Sequence, residues 1–361
     1  MQEFQVRRDD YREARIVEAL TPEPQGGEFL ARVERFSFTA NNITYAVAGD
    51  RMGYWRFFPP HAPDAAGWGV IPVWGFATIE RSNVPALRAG ERLFGYFPPA
   101  SHLLMRPDQI APARFFDRAP HRAGLPDGYN LYRRVEAEEG YDREQDDLRA
   151  LLWPLHITSW CIADALGEAR YHEASQILIL SASAKTSIGL AYALESAAAS
   201  PRLIAVTSPR NAGFVASLGV YDDIAFYDDA IARMDQKAST VIVDMSGDGS
   251  TLGRLHEALG DAMKKTINVG FTHWDKGFKN PSIIKARSEF FFAPAHIARR
   301  MKEWGAREFD ARVSGFLRDA AMRSASWMRI DRRTGLSGFS DVYQDVLSGR
   351  ADPQAGIIVA L

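Results

Sequence analysis

Residues 175–219, SQILILSASAKTSIGLAYALESAAASPRLIAVTSPRNAGFVASLG, constrain the fold of this chain more than any other stretch. The run 177–180 is short and continuously apolar, the pattern of a strand covered on both faces. A turn of small residues follows, then a helical stretch in which Ile188, Ala191, Tyr192 and Ala198 share one face. A second apolar run, 203–207, begins after Pro201 and stops at Ser208 and Pro209, with another helix beyond it. Such a β-α-β unit sets a helix N-terminus, with its unbonded N–H groups and positive dipole end, at the carboxyl edge of a parallel sheet. A dinucleotide pyrophosphate suits that place.

The turn departs from the standard fingerprint, whose three glycines let backbone approach the phosphates. Here it reads Ser181, Ala182, Ser183, Ala184, Lys185, Thr186, Ser187, and the first glycine is Gly189. Alanine and serine are small but tolerate positive φ poorly. Lys185 is placed to offset this by meeting a phosphate with its charge. Two readings stand: a cofactor loop, or a β-α-β unit that packs a sheet and binds nothing, since fold does not dictate ligand.

The rest of the chain sets bounds. Its 361 residues allow two domains, and 46% hydrophobic content supports sizeable cores. Lys plus Arg total 43 against 45 Asp plus Glu, a net charge of −2 that argues against nucleic acid as the main partner. The single cysteine, Cys161, excludes an intrachain disulfide and a cysteine-rich zinc site. The charged N-terminus has no apolar signal region, and no apolar run is long enough to span a bilayer, so a cytoplasmic protein without membrane contact is expected.

Up to about residue 110 the chain reads as strands broken by turns: 12–18 and 28–38 alternate apolar and polar residues, 70–80 and 92–97 are further strand candidates, and a small antiparallel barrel is the natural packing. Residues 114–149 are rich in Arg, Asp and Glu and read as a charged surface excursion, with a solvated helix over 136–150; a lid or a subunit contact is the alternative. From 151 to 293 strands and helices alternate, with strands predicted at 176–180, 203–206, 224–227, 240–244, 266–271 and 289–292. That pattern predicts a doubly wound parallel sheet. Residues 294–361 hold a long helix over 296–320 and a last strand, 356–360, expected to return to the first domain.

Several patches, in order, resemble the medium-chain dehydrogenase/reductase superfamily and particularly its zinc-free, quinone oxidoreductase-like members. Residues 37–45 (SFTANNITY) resemble the family's Gly-Val-Asn-Pro-Val-Asp-Thr-Tyr segment, and 75–80 (GFATIE) its Gly-x-Gly-x-Val-Glu strand. Residues 89–95 (AGERLFG) match Lys-Gly-Asp-Arg-Val-Phe, and 155–160 (LHITSW) the Gly-Leu-Thr-Ala-Trp helix that opens the cofactor domain. Residues 214–219 with 223–227 resemble the Leu-Gly-Ala-Asp…Asn-Tyr signature, and 354–359 the closing Thr-Gly-Lys-Val-Val-Leu strand. The resemblance implies an α/β chain with a chaperonin-10-like (GroES-like) β-barrel domain over 1–150, a Rossmann cofactor domain over 151–293, and a C-terminal return over 294–361. It also implies a homodimer, with the edge strand near 289–292 as the contact. Asn41, Val73 and Trp74 stand where zinc-dependent members carry Cys, His and Glu, so no catalytic metal is expected. The missing glycines and the long 114–149 segment place the chain in a divergent branch, one suited to a family known only as a domain of unknown function.

Candidate site residues follow. After the second strand come Thr207, Ser208, Pro209, Arg210 and Asn211, with no carboxylate to accept from a ribose 2′-OH. Arg210 favours a 2′-phosphate, hence NADPH over NADH, unless it is simply solvated. Tyr227 keeps the tyrosine of NADP-using relatives. Thr158 on the opening helix, the turn residues Ser183, Ala184, Lys185, Thr186 and Ser187, and the strand ends at Ser246, Gly270 and Phe271 complete the expected cofactor contacts. By the same resemblance Asn41 orients a substrate carbonyl and Tyr45 donates or relays a proton, unless Asn41 and Asn42 cap a turn and Tyr45 packs the barrel. Phe291, Phe292 and Pro294 form either one wall of an apolar cleft or core. The histidines show no ligand spacing, Ser183 and Ser187 lack the Gly-x-Ser-x-Gly frame, and the P-loop glycine is missing before Lys185. The chain thus reads as an NADPH-dependent, zinc-free reductase of a quinone, enone or related carbonyl compound. The alternative is a non-catalytic nucleotide- or protein-binding member of the same fold.

Overall fold

Buried and half-buried residues alternate only in short N-terminal strands such as 102–105 and 114–117, whereas the strand at 92–97 is buried throughout, as are 176–180 and 240–244 in the middle of the chain. The computed structural model describes residues 1–62, 64–197, 200–269 and 280–361. The chain divides into two units, one of Met1–Leu151 with Ala325–Leu361, the other of Leu152–Ser324.

In the first unit β1 (Gln2–Arg7) pairs with β2 (Ala14–Glu18), and β3 (Phe29–Phe38) leads into two short helices, α1 (Ala40–Val47) and α2 (Gly49–Met52). Then come β4 (Trp68–Gly69), β5 (Val73–Ser82), β6 (Arg92–Phe97), β7 (His102–Met105), β8 (Pro107–Asp108), β9 (Arg114–Asp117) and β10 (Leu131–Arg134). Helix α3 (Asp146–Glu168) carries the chain into the second unit.

Residues 114–149 are not a surface excursion. β10 pairs with β6 through Arg133↔Phe94 and with β9 through Leu131↔Phe116, so the segment extends the main sheet. Phe115 and Tyr132 are fully buried, and Gly95 of β6 makes room for Tyr132, whose Cδ1 would lie 2.4 Å from a Cβ there. Several of the segment's charges are buried and paired. Arg122, 2% exposed, faces Asp117 at 3.2 Å and lies over the Phe58 ring at 4.8 Å, while Arg149 donates to Glu138 at 2.6 Å. Helix α3 starts at Asp146 rather than at 136; the Asp146 carboxylate accepts from buried Arg92 at 2.9 Å.

The second unit runs β11 (Gln176–Leu180), α4 (Lys185–Glu195), β12 (Arg202–Thr207), α5 (Ala212–Ser217), β13 (Asp223–Phe226), α6 (Ala230–Arg233), β14 (Thr240–Asp244), α7 (Gly249–Leu259), β15 (Met263–Asn268) and β16 (Ser288–Phe290). Its six strands lie in the order β13-β12-β11-β14-β15-β16, all parallel, so the winding reverses between β11 and β14. This is the doubly wound Rossmann arrangement. Leu178, Leu180, Ile204, Val206 and Ile242 pack with Leu252, Leu255 and Leu259 of α7.

The long helix predicted over 296–320 is two, α8 (Ala293–Trp304) and α9 (Ala306–Ala325), broken at Gly305, whose φ is 83°. Phe309, Val313 and Leu317 of α9 pack on Trp153, Ile157 and Trp160 of α3, which keeps both helices in the second unit. The return to the first unit therefore begins at Ala325, not at 294. It consists of β17 (Arg329–Thr334), α10 (Gly335–Leu347) and β18 (Ala355–Ala360), with β18 paired between β17 and β3. Phe339 of α10 anchors it, with ring centroids 4.6 Å from Phe4, 5.3 Å from Phe36 and 4.8 Å from Phe38. Each such pair contributes about 0.5–1.5 kcal/mol beyond burial.

Candidate active site

At the carboxyl edge of the parallel sheet the chain leaves β11 through Ser181, whose φ of 58° is left-handed. A non-glycine residue there costs about 1–2 kcal/mol. The turn is held from three sides. Ser181 N–H donates to Tyr227 Oη at 3.1 Å, Ala182 N–H to the Val206 carbonyl at 3.1 Å, and Tyr221 Oη to the Ala182 carbonyl at 2.9 Å. Ser181 thus takes the conformation for which the fingerprint uses glycine. Ala184 then caps α4 with no side-chain hydrogen bond, and the first helical bond is Ile188 N–H to the Ala184 carbonyl at 2.9 Å. An 11-residue helix whose N-cap makes no side-chain hydrogen bond offers backbone donors and dipole to an anion.

Gly189 serves packing. A Cβ there would lie 2.5 Å from His156 Cδ2 and 2.8 Å from Ser159 Oγ, so its absence lets α4 lie close against α3. Ser159 Oγ donates to the Thr186 carbonyl at 2.7 Å. Thr158, the residue the sequence selects on this helix, instead turns its hydroxyl back to the Pro154 carbonyl at 3.3 Å. His156 is fully buried, and burial pushes its pKa down to about 3, so the ring is neutral.

The other expected contacts of this unit gather at the same sheet edge. Asn211 Nδ2 donates to Ser183 Oγ at 3.0 Å, and Ser187 Oγ bonds the Leu180 carbonyl at 3.4 Å. Lys185 and Thr186 open α4, both half-buried. Ser208 precedes the single turn Pro209–Asn211, on which Arg210 is exposed. Burial raises the Tyr227 pKa and keeps its phenol protonated. Ser246 is already engaged: its Oγ donates to Asp244 Oδ1 at 2.6 Å and accepts from Asp248 N–H at 3.1 Å. Asp244, 2% exposed at the end of β14, also accepts from Ser246 N–H and Gly247 N–H, and burial raises its pKa. Gly270 and Phe271 lie outside the described residues. Phe292 caps α8 with Pro294 in its first turn, and the Phe291 ring is 5.5 Å from His296.

The first unit holds the two expected catalytic residues on α1. Asn42, not Asn41, does the capping: Thr39 N–H donates to Asn42 Oδ1 at 2.8 Å, and Asn42 Nδ2 to the Pro72 carbonyl at 2.8 Å. That leaves Asn41 one turn before Tyr45 on the same helix. Trp74 Nε1 donates to Tyr45 Oη at 3.2 Å. Around Tyr45 the ring centroids of Tyr54, Tyr96 and Tyr129 lie at 4.8, 5.4 and 6.0 Å. Tyr54 and Tyr129 share a hydrogen bond of 3.0 Å. Burial raises the pKa of all four phenols, so each is a hydrogen-bond donor at neutral pH. Tyr54, Tyr96 and Tyr129 are not visible as site residues in the sequence, because no short spacing links them.

Among the described residues no group of three or more His, Cys, Asp or Glu side chains could hold a metal ion, and no helix is long and apolar enough to cross a membrane. A cleft of about 520 Å³ in the second unit lies elsewhere. Residues from the C-terminal end of α4 line it, with Trp160, Tyr171 and Phe316, which places it at the amino edge of the sheet. Two of its carboxylates, Asp164 and Glu168, are already paired with Arg300 and Arg299.

Comparison with known proteins gives the fold a context. No curated protein matches the sequence. CurA from Vibrio vulnificus, solved in complex with NADPH, is 12% identical with a TM-score of 0.64 over 100% of this chain and 99% of its own. The yhdH oxidoreductase from Salmonella enterica, in complex with NADP, is 14% identical with a TM-score of 0.57 over 100% of both chains. The quinone oxidoreductase from Coxiella burnetii is 14% identical with a TM-score of 0.59 over 100% of this chain and 99% of its own. At these identities the likeness is one of fold: a GroES-like unit and a Rossmann unit, as in medium-chain dehydrogenases and reductases. Residues 36–352 match a family described as "Protein of unknown function (DUF2855)", and the chain belongs to that family.

Proposed function

We propose that this protein is an NADPH-dependent, zinc-free reductase of a quinone, enone or related carbonyl compound. The observation that carries the reading is the β11–α4 turn: left-handed Ser181 and an α4 N-terminus with no side-chain cap, beside the point where the sheet reverses its winding. Sheets of this kind bind dinucleotides there. CurA and yhdH, which share the fold, were solved with NADPH and NADP.

A bound NADPH supplies a hydride. The chain's own residues hold and orient it: the first turn of α4 for the pyrophosphate, Lys185 beside it, and Arg210 for a 2′-phosphate. Residues 207–211 contain no carboxylate that would select a free ribose hydroxyl. Asn41 orients the substrate carbonyl through its amide, and protonated Tyr45 donates the proton that completes reduction.

The test is NADPH consumption against a panel of quinones and enones, with NADH in parallel. Turnover of at least one compound, at least about tenfold faster with NADPH, is expected; tenfold corresponds to about 1.4 kcal/mol. NADPH binding without turnover of any compound would favour the non-catalytic alternative.

A further inference from the structure

We infer that Tyr227 and Tyr221 are positioning residues of the β11–α4 turn: their hydroxyls clamp Ser181 and Ala182 from the β12–β13 side and replace the glycines that the turn lacks. Tyr227 then serves the loop rather than a 2′-phosphate. The clamp belongs to the chain alone, and only its effect on cofactor affinity rests on the proposed function.

The turn needs such support. Ser181 stands at φ 58°, a conformation that disfavours any side chain and that glycine adopts freely. At the same sheet edge the turn after β14 meets the same need with a glycine, Gly247 at φ 67°. Three consecutive residues of the β11–α4 turn are instead held by side chains from one neighbouring stretch, 211–227. Ser181 N–H donates to Tyr227 Oη at 3.1 Å, Tyr221 Oη donates to the Ala182 carbonyl at 2.9 Å, and Asn211 Nδ2 donates to Ser183 Oγ at 3.0 Å.

Both tyrosines are anchored for this reach. β13 lies two strands from β11, so Tyr227, the first residue beyond β13, spans past β12, roughly 10 Å at the usual strand spacing. Its own N–H donates to the Thr207 carbonyl at 3.3 Å, and its ring packs on the core that contains Leu180 and Val206. The Tyr221 ring packs on a second group of buried residues, Ala182, Ala205 and Val215. Phenylalanine would serve that packing equally well at either position, so what the two hydroxyls add is their bonds to the turn backbone. Burial raises both pKa values, and both phenols keep their protons at neutral pH. Loss of a clamp weakens every ligand of the turn alike, whereas loss of a 2′-phosphate contact weakens NADPH alone.

The experiment compares Tyr227→Phe, Tyr221→Phe, Ser181→Gly and the double variant Ser181→Gly/Tyr227→Phe with the unaltered full chain. Phenylalanine keeps the ring and removes the hydroxyl, and glycine at 181 takes the left-handed conformation unaided. Residue-resolved amide hydrogen exchange is read on the cofactor-free protein at Ala182, whose N–H bonds the Val206 carbonyl rather than either tyrosine. Tyr227→Phe is expected to speed that exchange about tenfold, and the double variant to return it to within about twofold of Ser181→Gly. Tyr221→Phe should act in the same direction and less. In titrations Tyr227→Phe should weaken NADPH and NADH by the same factor, about fivefold, and Ser181→Gly should restore both. Unaltered exchange at Ala182 in Tyr227→Phe, or a loss that Ser181→Gly leaves unrestored, overturns the clamp. Weakening of NADPH alone also overturns it and returns Tyr227 to the 2′-phosphate. Binding of neither cofactor by the unaltered protein would remove the proposed function, and the exchange at Ala182 would then decide the clamp by itself.

Discussion

The candidate site of the second unit is made of backbone, and that of the first unit of side chains. The β11–α4 turn offers N–H groups and a helix dipole, and its side chains chiefly shape the loop: Tyr227, Tyr221 and Asn211 all bond to it. The cluster around Tyr45 offers hydroxyls from four separate places in the chain, brought together by strand pairing and by the 114–149 insertion. A backbone site tolerates drift in sequence as long as φ and ψ survive, which is how Ser181 replaces a glycine at a cost of about 1–2 kcal/mol. A side-chain site tolerates no such drift.

The sharpest way to break the comparison is to unseat the insertion. Asp117→Ala leaves the Arg122 guanidinium buried and without its carboxylate, and should cost about 3–5 kcal/mol in chemical denaturation. A loss below about 1 kcal/mol would show that residues 114–149 do not hold the barrel.

Gly189→Ala strikes the other unit. Its Cβ would lie within 2.5 Å of His156, so α4 must shift, with a loss of about 1–3 kcal/mol in thermal or chemical unfolding and a parallel loss of NADPH affinity. Stability lost without loss of affinity would separate α4 from the cofactor.

Arg210→Glu should weaken NADPH about tenfold, or about 1.4 kcal/mol, and leave NADH nearly unchanged when both are titrated. Equal effects on both would remove Arg210 from the 2′-phosphate.

The smallest effect is on pH dependence. The four phenols of the cluster have native pKa values above the ordinary value of about 10. Above that pH the unfolded chain releases protons that the folded chain keeps. Their stabilisation is therefore complete below about pH 10 and declines as pH rises through the raised values. The melting temperature should fall by a few degrees between about pH 10 and 11, and less in a Tyr96→Phe variant. An equal fall in that variant would place its phenol outside the effect.

The same contrast explains what the sequence reveals. β11 and β14 occur at the predicted 176–180 and 240–244, because a buried parallel strand is a continuous apolar run that needs no partner to be recognised. The turn from β11 is legible as a location, and its left-handed Ser181 is not, since only tertiary bonds make that conformation affordable. Residues 114–149 mislead because charge normally marks solvent. Here Arg122, Arg149 and Asp146 are buried against partners at separations no periodicity reveals. Asn41 and Tyr45 are adjacent on one helix and can be read as a pair, whereas Tyr96 and Tyr129 reach them only through the sheet.

A turn without its glycines is expected still to hold a dinucleotide. Titration of the purified protein with NADPH and NADH, followed together by nicotinamide fluorescence and thermal stability, tests it most directly. Micromolar NADPH binding, with weaker NADH binding and a matching rise in melting temperature, is the predicted result. No binding of either cofactor would contradict it and leave the second unit a scaffold without its ligand.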